Sequence, residues 1–239
     1  MTRFAATVAC DLRLQLRNGF YVAVAFVAAV SVAILRLLPA ASVAWLLPLV
    51  VFQGLVVTSF YFMAGLVLLE KTEGTIAARV VTPLRTAEYL GAKVLTLTAL
   101  SVAEGVAVVA LGAPGRVGAA GLGWLTAGLA LMAAFFCLAG FAFVARYDSI
   151  NEFLLPSVAF TAALGLPLVE WISVWSSPLF YLHPFQAQFA LVAAAFEPAP
   201  AWRLAYGVAY STLWLIPAWI AARRAFDRRL LARWGSAAA

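Results

Sequence analysis

Charge is what this chain has least of. Asp, Glu, Lys and Arg make up 11% of its 239 residues, where soluble domains carry about 25%, and a water-facing surface cannot be assembled from so few. Cysteine and histidine are nearly missing too: Cys10, Cys137 and a lone His183. The topology argued below separates the two thiols, so no disulfide framework is expected. His183 has no HExxH or CxxC companion, and a zinc hydrolase is not expected. No glycine cluster is followed by Lys-Ser or Lys-Thr, which removes ATP binding through a P-loop. Nor is there an internal repeat of the kind that secondary carriers with inverted halves display.

What fills the chain is apolar surface, 65% of all residues. It comes in runs over residues 20 to 38, 43 to 69, 94 to 111, 122 to 145, 153 to 172 and 202 to 222. These match the roughly 17 to 25 residues that a helix needs to cross a hydrocarbon core of about 30 Å. Apolarity all round the helix is wrong for a surface helix, and the runs lack the alternation of barrel strands. The sequence therefore predicts an all-α polytopic membrane protein with six transmembrane helices. A cleaved signal peptide is the competing reading of the first run, since Ala41-Ser42-Val43-Ala44 loosely resembles a processing site. The long basic region before that run, interrupted by Asp11, and the further spans argue against it.

Orientation follows from the basic residues. With both termini cytoplasmic, the inner side holds Arg3, Arg13, Arg17, Lys71, Arg79, Arg85, Lys93, Arg146, Arg223, Arg224, Arg228, Arg229 and Arg233. The outer side holds Arg36, Arg116 and Arg203, an asymmetry of the positive-inside kind. Topology and anionic lipid account for the net charge of +6, and no nucleic-acid partner is implied.

The connecting segments are unequal. Residues 39 to 42 and 112 to 121 are minimal turns, whereas the inner connection at 70 to 93 and the outer stretch at 173 to 201 carry content. In the inner connection Gly74 interrupts the helix leaving the second span, and Thr82-Pro83 reads as an N-cap with proline at the first helical position. Its mixed charges suit docking on another protein better than a plain turn. Residues 3 to 17 space Phe4, Val8, Leu12 and Leu16 helically, predicting an interfacial helix over 1–19. The 223 to 229 run reads as a solvated helix end. Residues 178 to 196 are apolar but broken at Pro184, which predicts two short helices forming an outer re-entrant hairpin between helices five and six. Trp171, Trp175, Tyr181 and Trp202 would form an aromatic belt there.

Inside the spans, Glu104 is the costliest residue, with Ser101 one turn before it on the same face. It is expected to face the bundle interior, either as an interhelix hydrogen-bonding group or as a conformational or transport residue. Glu170 lies near the outer end of the fifth run. Gln53, Thr58 and Ser59 read as packing groups rather than substrate ligands.

Over most of its length, and most strongly from Phe62 to Leu95, the chain resembles the permease subunits of type 2 ABC exporters. The fragments that carry the likeness are Glu70-Lys71-Thr72-Glu73-Gly74-Thr75, Thr82-Pro83-Leu84-Arg85 and Gly91-Ala92-Lys93. Within that family it looks most like bacterial fluoroquinolone export permeases, through Glu70-Lys71, Thr82 to Arg85, Glu88-Tyr89-Leu90 and Tyr181-Leu182-His183-Pro184. The resemblance implies one permease domain over 1–239 and a cytoplasmic coupling helix over residues 70 to 82, with Glu70, Glu73, Gly74, Thr75, Arg79 and Pro83 as ATPase-coupling residues. It also implies a second permease copy or a related chain, a separate ABC ATP-binding subunit carrying MgATP, and a bacterial inner-membrane location. No cofactor is expected in this chain, and no covalent chemistry. Scarce charge along the spans suits an apolar or amphipathic small molecule such as a drug, while a lipid-linked glycan is the alternative substrate. A membrane-embedded enzyme or a non-transporting assembly subunit is the alternative class, and it would require Glu104, Glu170 and His183 to converge.

Overall fold

The computed structural model describes residues 3–75, 85–172 and 174–231. Among them every regular element is helical. Helix α1 (Arg3–Arg17) passes through Gly19, at φ 73°, into α2 (Phe20–Leu37). Next come α3 (Ala40–Leu55), a π-helical segment (Val56–Tyr61) and α4 (Phe62–Thr72). The chain continues as α5 (Thr86–Gly112), α6 (Ala119–Val144), α7 (Ile150–Leu164) and α8 (Leu168–Trp171). A 3-10 helix (Pro178–Leu182), α9 (Pro184–Ala193), α10 (Ala201–Ala225) and a π-helical segment (Phe226–Leu231) complete it.

Five helical stretches are long and apolar enough to cross a membrane: Phe20–Leu37, Trp45–Thr72, Thr86–Gly112, Ala119–Val144 and Ala201–Arg228. The six expected from the sequence are therefore corrected to five. The run at 153 to 172 fails because α7 has only 15 residues, about 22 Å at about 1.5 Å per residue, short of the core of about 30 Å. Gly165 and Pro167 then break the chain before the four-residue α8.

The outer re-entrant hairpin is not found either. Residues 178 to 196 hold one five-residue 3-10 helix and the single ten-residue α9. Pro184 starts α9 at its first turn while His183 Nδ1 accepts the Phe185 N–H at 3.2 Å, so the apolar stretch becomes one capped helix rather than a pair. It packs against α6 and α10. No coupling helix stands among the described residues: α4 stops at Thr72, Gly74 turns the chain at φ 66°, and residues 76–84, which include Arg79 and Pro83, lie outside those described. The following helix starts at Thr86 rather than at Pro83. Arg85 is its N-cap, and the Arg85 N–H donates to Glu88 Oε2 at 2.9 Å.

Helix α6 is the centre of the bundle, touching α4, α5, α9, α10 and the first π-helical segment. Two glycines explain how close those neighbours come. A methyl added to Gly140 would lie 2.8 Å from the Phe60 carbonyl oxygen, and one added to Gly128 would lie 2.9 Å from the Val192 nitrogen. Backbone meets backbone at both places, the small-residue packing that membrane bundles use in place of a hydrophobic drive. By contrast α2 leaves Val22, Phe26, Val30, Ile34 and Leu37 exposed, as a helix bordering lipid or a second subunit does.

A side chain at Gly128 has no flexible neighbour to displace. Gly128→Val is therefore expected to cost about 1–3 kcal/mol through overpacking, whereas Gly123→Ala, with nothing within 4 Å, should be silent. Thermal unfolding of both purified variants in one detergent checks this, and equal midpoints would show that α6 does not depend on that contact.

Candidate functional site

Of the candidate coupling residues, those described, Glu70, Glu73, Gly74 and Thr75, lie at one end of the bundle. Glu70, on the last turn of α4, faces Lys93 of α5, with Nζ 2.9 Å from Oε1, and the same ammonium lies 3.1 Å from Asp11 Oδ1 of α1. All three side chains are fully or almost fully buried. The Tyr89 hydroxyl donates to Glu70 Oε2 at 2.5 Å, and Lys93 lies 5.0 Å from the Tyr89 ring centroid. One turn further along, Gln15 donates to Thr96 Oγ1 at 2.8 Å.

Helix α1 thus docks through its polar stripe, Thr7, Asp11 and Gln15. Its apolar side turns outward, with Leu16 62% exposed.

The residues after Glu70 extend this junction. Lys71 Nζ donates to the Tyr147 carbonyl at 2.5 Å and reaches the Val144 and Ala145 carbonyls at 3.4 and 3.3 Å. It places a cation on the C-terminal end of α6, where the helix dipole favours one. Glu73 pairs with Arg17 at 3.6 Å while remaining 34% exposed. Thr75 Oγ1 donates to the Glu70 carbonyl at 3.2 Å, and the left-handed Gly74 has open space where a side chain would stand. The C-terminal helix reaches the same end. Thr86 donates to Asp227 Oδ1 at 3.0 Å, and Phe226, buried rather than solvated, packs on Tyr89 at 5.0 Å between ring centroids.

Mid-bundle, the Thr58 hydroxyl donates to Glu104 Oε2. The π-helical segment aims Thr58 there, and Gly54 makes room: a methyl on it would lie 3.0 Å from Glu104 Oε1. Ser101 is buried beside Glu104 in sequence, yet no hydrogen bond joins the two among the described residues, and both Glu104 Oε1 and Ser101 Oγ lack a partner there. Gln53 is exposed on the outside of the chain. At the other end Glu170 Oε2 accepts from Gln186 Nε2 at 3.0 Å, and Trp171 donates to the Trp45 carbonyl at 2.8 Å. Burial holds the His183 imidazole below its usual pKa, against an opposing hydrogen bond to the Ala163 backbone, and the neutral ring suits its role as acceptor in the α9 cap. Glu104, Glu170 and His183 thus have separate partners. No group of three or more His, Cys, Asp or Glu is placed to hold a metal among the described residues.

The sequence reading missed the buried junction of Asp11, Lys93 and Tyr89. Its signal was present: Thr7, Asp11 and Gln15 recur every four residues, and so do Tyr89 and Lys93, which places each set on one helical face. An interfacial helix ordinarily turns its polar stripe to water, whereas here the stripe faces another polar stripe.

Comparison with known proteins adds a relationship to this geometry. Residues 2–234 match the model of the Fluoroquinolones export permease protein family. Fluoroquinolones export permease proteins of Mycobacterium tuberculosis strains CDC 1551 / Oshkosh and ATCC 25618 / H37Rv are each 32% identical over 243 residues, covering 98% of this chain and 99% of the relative. No solved structure matches.

Removing Lys93 takes away the ammonium that two buried carboxylates share. Lys93→Met should destabilise the protein by about 3–5 kcal/mol. Neutralising all three positions together, Asp11→Asn, Glu70→Gln and Lys93→Met, should recover much of that loss. Thermal unfolding in one detergent reads both, and a single variant as stable as the parent would show that the junction contributes nothing.

Proposed function

The chain belongs to the Fluoroquinolones export permease protein family, and on that premise we propose that it forms half of a translocation pathway driven by a separate ATP-binding subunit. It is a membrane-spanning export permease subunit, and it is not an enzyme. In this reading the ATP-binding subunit, which carries MgATP, docks at the end of the bundle where Glu70, Glu73, Gly74 and Thr75 lie. The observation that carries the reading is the junction of Glu70 and Lys71. Two consecutive residues at the tip of α4 tie α1, α5 and the end of α6 together, so a push delivered at Glu73 reaches four helices without a flexible link between. Closure of the ATPases would tilt these helices together and change access to a cavity between two permease copies, and hydrolysis would reset it.

Arg79 and Pro83, which the family resemblance adds to the coupling residues, are assigned to the same contact on sequence alone. The end bearing the junction is taken as cytoplasmic. Helix α1 and the C-terminal helix both reach it, and most basic residues of the chain belong to its segments. On this reading the protein sits in the bacterial inner membrane with both termini inside, the short α7 returning the chain from the junction end to the Glu170 end between α6 and α10 although it is not one of the five long helices. The second copy would cover the face of α3 on which Gln53 stands exposed, since a polar amide at mid-membrane depth belongs on a pathway or a subunit contact rather than on lipid. Glu104, held by Thr58 behind that face, is assigned to positioning α5 against the π-helical segment. Glu170, at the opposite end, plays no part in coupling. The substrate is proposed to be a small amphipathic drug, by analogy with the mycobacterial relatives named for fluoroquinolones.

Glu73 offers the sharpest test, because its pair with Arg17 is solvent-exposed and contributes little to folding. Glu73→Arg should leave membrane insertion intact, while substrate-stimulated ATP hydrolysis by the co-purified complex falls. If Glu73 faces the ATPase, the swap Arg17→Glu with Glu73→Arg will not restore it. Full recovery in the swapped protein would mean that only the internal ion pair matters and would remove Glu73 from the docking surface.

A further inference from the structure

At the end of the bundle opposite the junction lies a cavity of about 200 Å³ that the transport reading leaves without a role. Glu170 and Arg203 both line it, with Gln186, Trp171, Tyr181 and Phe189. No ion pair joins Glu170 to Arg203 among the described residues. Arg203 is exposed on the first turn of α10 and lies over the Trp202 ring at 5.6 Å. The cavity therefore presents an anionic and a cationic site side by side, within the aromatic belt that marks the membrane interface.

Two magnitudes narrow the ligand. The volume is below the roughly 300–1,000 Å³ of pockets that enclose drug-sized molecules, but it suits a headgroup. The hydrogen-bonding inventory is more selective still. Gln186 gives its amide N–H to Glu170, which orients its carbonyl oxygen Oε1 into a buried position with no donor. Glu170 lines the cavity with the Gln186 amide held against it, and a cation that meets this carboxylate gains by bringing N–H donors of its own. A primary ammonium has three donors and a trimethylammonium has none. Choline, moreover, is recognised by aromatic cages rather than by a carboxylate. Arg203, whose guanidinium matches a phosphate, can take the other half of a zwitterion.

We infer that this cavity binds the headgroup of a phosphatidylethanolamine molecule, its ammonium on Glu170 and its phosphate on Arg203. The lipid would fasten α8, α9 and α10 at the interface where α7 is too short to carry a span. The inference needs the chain only to be in a membrane, and its test contains no ATPase, so it can fail while the export reading stands.

The purified chain is exposed to phosphatidylethanolamine, phosphatidylcholine and phosphatidylglycerol with identical acyl chains. Lipid retained after detergent washing is counted by native mass spectrometry, and the thermal midpoint is read in each. Phosphatidylethanolamine should be retained roughly tenfold over the other two, which corresponds to about 1.4 kcal/mol, and should raise the midpoint most. Glu170→Gln should bring phosphatidylethanolamine down to the level of phosphatidylcholine. Arg203→Gln should weaken all three lipids while leaving their order unchanged. The wild-type series decides the matter even if a variant misfolds. Equal retention of the three lipids, a preference for choline or glycerol headgroups, or selectivity that survives Glu170→Gln would overturn the site. Displacement of the lipid by a soluble aromatic zwitterion such as L-tryptophan would overturn it in favour of a small-molecule site.

Discussion

One lysine holds the junction end of this protein together. Each ion brought out of water into a membrane bundle carries a desolvation penalty of several kcal/mol even after relaxation, so Asp11, Glu70 and Lys93 are tolerable only in one another's company. Three different helices supply them. The penalty for separating the charges therefore becomes a penalty for separating the helices, and α1, α4 and α5 must move as one body. Lys71, the next residue along, extends the constraint to the end of α6, and Tyr89 extends it to the C-terminal helix through Phe226. Dispersion between apolar side chains could hold these elements near each other, but it would not fix their register. A charge triad with hydrogen-bonding geometry does.

Away from that end the restraints are of another kind. Helix α6 is gripped by close backbone approach at Gly128 and Gly140, and Glu104 supplies a single polar link to Thr58 across the middle. The helices at the edge, α2 and α10, show much of their apolar surface. Rigid at one end and held by small-residue packing elsewhere, the bundle is suited to being levered from the rigid end.

Much of this architecture could be read from the chain because membrane physics leaves few options: long apolar runs must be helices. The misreadings have physical causes. The fifth run is apolar for long enough to span, but Gly165 and Pro167 act on the backbone, and a hydropathy reading does not see them. Pro184 was read correctly as a break and incorrectly as the bend of a hairpin, because a proline also begins a helix well. Glu70 was supplied by the family resemblance, and Glu104 stood out as a carboxylate inside a span. Asp11 did not, since its helix looked amphipathic and polar faces are expected to meet water. Each polar stripe is visible in its own helix, but only the fold shows that the two meet, since the pairing joins residues 82 positions apart.

The central claim is that this chain moves substrate only when a separate ATPase drives it. Proteoliposomes containing the permease with or without its co-purified ATP-binding subunit, supplied with ATP or a non-hydrolysable analogue and a fluorescent fluoroquinolone, measure that directly. The account predicts concentrative, ATP-dependent movement of the drug only when both subunits and hydrolysable ATP are present. Drug transport at full rate by the permease alone, indifferent to ATP, would contradict it.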